Sequence, residues 1–302
     1  MATGQPRILL VVADDFGIGP ATTAGILHLA GKGVVTGTVL IVNSPYAEEA
    51  VGLWNRAGRP ADLGWHPNLT LDSPVLPASE VPSLVDAGGK FYPLPRFLRR
   101  WLLGRMAPRD IEAEFRAQLL RFRELTGQAP TLVNAHQHVI LFEPLGSIIL
   151  DVMRRQGCFP YVRRVCEPWR NLWRVPGARN RRLLLNTLGR SQSRRQADRG
   201  FPGNDWLAGV TGPGWVRHPL FHRRWLANTP GHVVELICHP GHEDRTLLGR
   251  DCALGDGLMQ WRVDEFNQLD RPDFFETVAN ARFRLASPSQ WLQSEDTHVH
   301  AA

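Results

Sequence analysis

Two adjacent carboxylates, Asp14 and Asp15, close the apolar run RILLVVA at residues 7–13. The run has the length and branched content of a strand buried on both faces, and an Asp pair before a glycine is ordinarily a polar turn. Other strand-like runs end on imidazoles: His66 in DLGWH, His136 and His138 in VNAHQH, and His239 in ELICHPG. In a parallel α/β fold the C-terminal strand ends share one face, so four strands would bring two carboxylates and four imidazoles together. Carboxylate and imidazole ligands suit Zn²⁺ or another first-row divalent ion, and three protein ligands leave room for water and substrate. One aspartate could then bind the ion while its neighbour takes a proton from water, which is the chemistry of hydrolysis. In HQH the two rings point the same way only if the segment is extended. A second HxH, His298 and His300, lies in the polar tail and is given no role.

The elements that would position these groups alternate. The first strand is followed by a helix over GPATTAGILHLAGKG, a strand in VVTGTVLIVNSP, a short strand in PADLGWHPNLT, and the clearest helix, residues 108–130. That helix has Pro and Asp at its start, an apolar stripe, and Gly127 beyond its end. TLVNAHQHVI is expected as the next strand, PLGSIILDVMRRQG as a helix and CFPYVRRV as a strand. This βαβα order predicts a parallel sheet, open or closed. Residues 168–230 break the rhythm and are expected as an insertion folded onto the same domain, with a helix over 180–196. The pattern resumes at HVVELICHPGH, then a single helix over residues 264–281, a strand RFRLAS and a mobile tail at about 293–302.

Composition narrows the class. With 302 residues, 43% apolar and 21% charged, the chain has globular values and is read as one catalytic domain, residues 1–302. The first apolar run is too short for a signal peptide and none approaches a bilayer span, so a cytoplasmic location is expected. Cys158, Cys166, Cys238 and Cys252 form no CxxC pair and are expected as reduced thiols. The net charge of +6 comes from arginine, Lys32 and Lys90 being the only lysines. Between Arg154 and Arg224 there are sixteen Arg against three acids, and five of the ten Trp fall between Trp169 and Trp225. Such a segment suits nucleic acid, an anionic membrane surface or a charged substrate.

ADDFG, LGWHPNLT, NAHQHV and ELICHPG, in this order and at these spacings, resemble the signature of the YdjC-like carbohydrate deacetylases. Weaker similarity covers GVVTGTVLIVNSPYAEEA, VPSLVDAGGKF and YVRRVCEP, so the likeness spans most of residues 7–245. The resemblance implies an irregular (β/α) barrel of the glycoside hydrolase/deacetylase type. It also implies removal of acetyl groups from N-acetylated amino sugars with one divalent ion, zinc or magnesium. It assigns Asp15, His66 and His136 as metal ligands, Asp14 as base and His239 as acid. His138 would lie nearby, and Arg163 and Glu167, in an Arg…Glu-Pro pattern, would make sugar contacts or support the site. ADRGFPGNDWLAGVTG, residues 197–212, is most similar to the branch found with hopanoid biosynthesis, which implies a glycolipid such as hopanoid-linked N-acetylglucosamine. Two positions depart from many relatives: Asn134 stands where they have a carboxylate and Ile140 where they have a third histidine.

The function expected is therefore metal-dependent hydrolysis of the N-acetyl group of an N-acetylhexosamine unit, with no nucleic-acid partner. Arg181, Arg182, Arg194 and Arg195 are expected to rest on anionic headgroups, making the protein peripheral at the inner membrane surface. The rivals are an amidohydrolase with a non-sugar amide substrate and a basic binding module on nucleic acid or a membrane surface, without catalysis.

Overall fold

A computed structural model describes residues 7–299. Its centre is a parallel sheet of eight strands: β1 Arg7–Phe16, β2 Gly37–Leu40, β3 Asp62–Trp65, β4 Leu132–Val133, β5 Tyr161–Val162, β6 Trp206–Ala208, β7 Val233–Cys238 and β8 Phe283–Leu285. The spatial order is β5-β4-β3-β2-β1-β7-β6, and β8 pairs with the first residues of β1, below the point where β2 joins it. Single hydrogen bonds bring the outer strands together: Val162 N–H donates to Pro202 O at 2.8 Å and Leu207 N–H to Cys166 O at 2.8 Å. The sheet thereby curls into an irregular (β/α) barrel.

Period-two alternation sorts the strand residues between the two faces. Leu9, Val11 and Ala13 of β1 and Val234, Leu236 and Cys238 of β7 face outward, beneath helices that contribute Ile26, Leu29, Phe115 and Phe122. Ile8, Leu10 and Val12 face inward, where they pack with Val39, Leu132, Tyr161 and Val233. Trp291, on the helix Pro288–Val299, packs against this inner layer. The inward positions that continue each strand upward are Asp14, His66, Asn134, Arg163 and His239. The apolar layer thus forms the floor on which the polar groups stand.

Four expectations need correction. TLVNAHQHVI is a strand only at Leu132–Val133; His136–Leu141 is a tight helical turn in which Gln137 and His138 take left-handed φ of 52° and 56°. Residues 168–230 are no simple insertion, because they supply β6, a member of the central sheet that pairs with β7 from Trp206 to Ala208. The final helix is two, Leu258–Leu269 and Phe274–Asn280, separated at Pro272, whose ring cannot continue the first. A further helix, Pro288–Val299, runs through residues 293–299 of the expected tail, while residues 300–302, including His300, lie outside the described residues. The helix expected at 180–196 is Arg179–Asp198, and that at 108–130 is Pro108–Thr126, ended by Gly127 at φ 70°. No helix among the described residues is long and apolar enough to cross a membrane.

Candidate active site

A cavity of about 360 Å³ opens at the C-terminal ends of the strands, and Asp14, Asp15, His66, His136, His138 and His239 all line it. Strand alternation alone would send Asp14 and Asp15 to opposite faces. Instead the β1–β2 register shifts between Ala13 and Phe16, and Asp15 adopts a left-handed φ of 65°. This bulge turns the second carboxylate into the barrel beside the first. A non-glycine residue in that conformation is strained, and such strain gathers at functional sites.

Asp15 Oδ1 lies 2.9 Å from His136 Nδ1 and 3.2 Å from His66 Nε2, and all three side chains are buried. His66 Nδ1 is 2.9 Å from the carbonyl oxygen of Asn134, so that nitrogen carries the proton and donates. In a neutral ring Nε2 is then a lone pair facing a carboxylate oxygen. Two acceptors at this separation repel unless a cation or proton lies between them. The donor set, one carboxylate oxygen and two imidazole nitrogens converging within 4.8 Å, fits Zn²⁺ or a similar divalent ion. Arg262 Nη2 holds the other Asp15 oxygen at 2.6 Å. Burial alone would raise the Asp15 pKa, but Arg262 and His136 outweigh it and hold the carboxyl well below the usual range.

Asp14 stands beside this triad. Arg163 grips it with two parallel hydrogen bonds, Nη1 to Oδ2 at 2.6 Å and Nη2 to Oδ1 at 2.7 Å, and Asn134 Nδ2 donates to Oδ1 at 3.1 Å. Burial opposes ionisation, yet the Arg163 guanidinium holds the Asp14 pKa at about 2. A carboxylate at position 134 would repel Asp14, whereas the asparagine donates to it. Arg163 is only 1% exposed and its remaining Nε–H goes to Glu235, so it holds Asp14 from behind. Glu167 does not line this cavity and is bound by Arg182 at 2.6 and 2.9 Å.

His239 Nε2 faces Asp14 Oδ2 at 3.8 Å, and its Nδ1 lies 3.6 Å from Glu265 Oε2. The Glu265 carboxylate also accepts the backbone N–H of His239 and, at 2.9 Å, the indole N–H of Trp261. Burial disfavours the imidazolium, but Glu265 and Asp14 more than compensate and raise the His239 pKa. The sign follows: His239 keeps its proton to higher pH than an ordinary histidine and loses it as pH rises through the raised value. We expect the alkaline limb of a pH–rate profile to report this group, and Glu265→Gln to move that limb to lower pH. An unmoved limb in that variant would remove His239 as the titrating acid. His138 also lines the cavity; burial, reinforced by Arg181 and Arg163, lowers its pKa well below the ordinary value, which keeps the ring neutral.

Glu235, Glu265, Arg262 and Asp251 are site residues that the strand-end pattern does not reveal. Glu235 alone left a trace, an acid inside the apolar strand VVELIC, and it is fully buried against Arg163. The other three lie beyond β7, on a loop and a helix with no strand-end signal.

The site and its barrel define a class: a carboxylate–imidazole centre at the C-terminal mouth of an incomplete α/β barrel. The chain belongs to the YdjC-like protein family, whose profile matches residues 8–280. It is 33% identical to a carbohydrate deacetylase of Mus musculus, over 93% of this chain and 94% of that protein. It is 30% identical to a carbohydrate deacetylase of Brevibacillus brevis, over 93% and 98% respectively. A chitooligosaccharide deacetylase of Klebsiella pneumoniae is 27% identical over 93% and 98%. In fold it is similar to a crystal structure from Enterococcus faecalis V583 named for cellobiose-phosphate cleavage, with TM-score 0.75, 23% identity, and coverage of 95% of this chain and 99% of that one.

Proposed function

We propose that this protein is a metal-dependent carbohydrate N-deacetylase, a hydrolase of the amide bond of an N-acetylhexosamine unit borne on a glycolipid. The observation that carries the reading is the convergence of Asp14, Asp15, His66, His136 and His239 in one cavity. Asp15 Oδ1, His66 Nε2 and His136 Nδ1 would hold the ion. When bound, a divalent ion polarises the acetamide carbonyl and makes a nearby water more acidic. Asp14, ionised and fixed by Arg163, takes the proton of the attacking water. His239, protonated and on the far side of Asp14, gives its proton to the amine nitrogen as the C–N bond breaks and the new C–O bond remains. The products are acetate and a free amino sugar.

The glycolipid part of the reading is supported by the apolar share of the cavity's lining: Leu94, Leu98, Phe142, Leu184, Leu258 and Trp261. Leu184 is 57% exposed at its edge, and Leu183 and Trp173 are exposed on the same basic segment. Arg181 also lines the cavity, whereas Arg182, 1% exposed and bound to Glu167, has no access to a membrane. Arg194 is exposed and Arg195 half-buried, with Arg195 3.3 Å from Glu143. The test compares a lipid-linked and a soluble N-acetylglucosamine substrate in anionic vesicles. Replacing Arg194 and Arg195 together with Gln, which leaves the cavity-lining Arg181 in place, is expected to lower vesicle binding and turnover of the lipid-linked substrate while sparing the soluble one. Headgroup attraction of about 1 kcal/mol per Arg should fade as salt rises. Equal loss on both substrates would contradict the membrane contact and leave the deacetylase reading standing.

A further inference from the structure

His136 has two ring nitrogens and the metal reading uses one. Nδ1 faces Asp15 Oδ1 at 2.9 Å. Nε2, on the other side of the ring, is buried and has no hydrogen-bond partner among the described residues. The carboxylate that faces it is Asp251, whose Oδ1 lies 3.7 Å away. Asp251 sits in the segment between β7 and the helix Leu258–Leu269, lines the catalytic cavity and has a side chain only 10% exposed. Its other oxygen is 2.8 Å from Arg262 Nη2, the same nitrogen that holds Asp15 Oδ2 at 2.6 Å.

For His136 to offer the Nδ1 lone pair to a cation, its proton must be on Nε2, and a buried N–H requires an acceptor. His66 meets the same requirement through the Asn134 carbonyl. We propose that Asp251 is the positioning residue that fixes the His136 tautomer, and that Arg262 ties it to Asp15 so that both ligands are aimed by one guanidinium. Asp251 is not a fourth ligand, because it faces the ring edge that points away from Asp15. The inference rests on the metal reading above and names the residues that set the affinity of that centre. It also makes the segment after β7 part of the centre. That segment is separately anchored by Arg250, which binds Asp72 at 2.6 and 2.9 Å.

The experiment is a titration of the purified full chain with Co²⁺, read by calorimetry and by the visible d–d absorption of the bound ion. Asp251→Ala is expected to weaken Co²⁺ binding by ~10–100-fold and to alter the spectrum, the range found for loss of an outer partner of a metal-bound histidine. Asp251→Asn keeps a carbonyl acceptor for the Nε2 proton and should restore much of the affinity. Asp72→Asn, which cuts the other anchor of the same segment, should bind Co²⁺ like the parent protein. Unchanged affinity and spectrum in Asp251→Ala would overturn the proposal while leaving the metal reading intact. Equal weakening in Asp72→Asn would also overturn it, since the segment's anchoring would then be the cause. Failure of the parent protein to bind Co²⁺ would overturn both this proposal and the metal reading.

Discussion

Asp14→Asn is expected to bind its divalent ion as the parent protein does and to lose turnover by ~10²–10⁴-fold, the range for removing a positioned general base. The amide has nearly the same shape and can still accept from Arg163, but it cannot take a proton. Two features make the loss specific. The Asp14 carboxylate is buried and gripped from behind by Arg163, so its orientation is fixed before substrate arrives. With a pKa held at about 2 it is ionised throughout the physiological range, so an acid limb within that range should not come from this group. The measurement is kcat at saturating substrate together with the metal content of the same sample. Loss of metal from Asp14→Asn, with retention in Asp15→Asn, would require the two aspartates to exchange roles.

Removing a ligand should act differently. His66→Ala is expected to lose metal binding and activity together, with affinity falling by more than the ~10–100-fold assigned to outer partners. The ring is only 1% exposed, and its deletion also leaves a void in the barrel. The readout is therefore the shift in Tm that added metal produces within each variant, not the absolute Tm. An ion that binds only the folded state at 100 times its Kd stabilises by about 2.7 kcal/mol. The parent protein should show that upward shift and His66→Ala should not. A normal metal-induced shift in His66→Ala would exclude His66 from the ligand set.

The strand ends were legible in the sequence because an apolar run that stops on a polar residue obeys two simple rules: alternation assigns its face and parallel order assigns its end. His66 and His239 follow both rules. Asp14 continues the inward set Ile8, Leu10 and Val12. Asp15 does not, and only the bulge with its left-handed φ explains how neighbouring carboxylates share one cavity. The HQH segment misleads for the same reason. Its two left-handed residues replace the extended chain that the spacing implied, although both histidines still reach the cavity. Strand β6 carries no local strand signal because it is three residues long amid glycine, proline and arginine, and pairing with β7 supplies what local pattern lacks. Asp251, Arg262 and Glu265 were invisible since nothing local distinguishes a site carboxylate or guanidinium from a surface one.

The most direct measurement is hydrolysis of an N-acetylglucosamine substrate by the metal-loaded protein in ¹⁸O-labelled water, with both products quantified. The expected result is equal amounts of free amine and acetate, one ¹⁸O in each acetate, loss of both products on chelation, and recovery when metal is returned. Cleavage of the glycosidic bond with the acetamide intact, or amine release that is indifferent to chelation, would contradict a metal-dependent deacetylase centre at Asp14, Asp15, His66, His136 and His239.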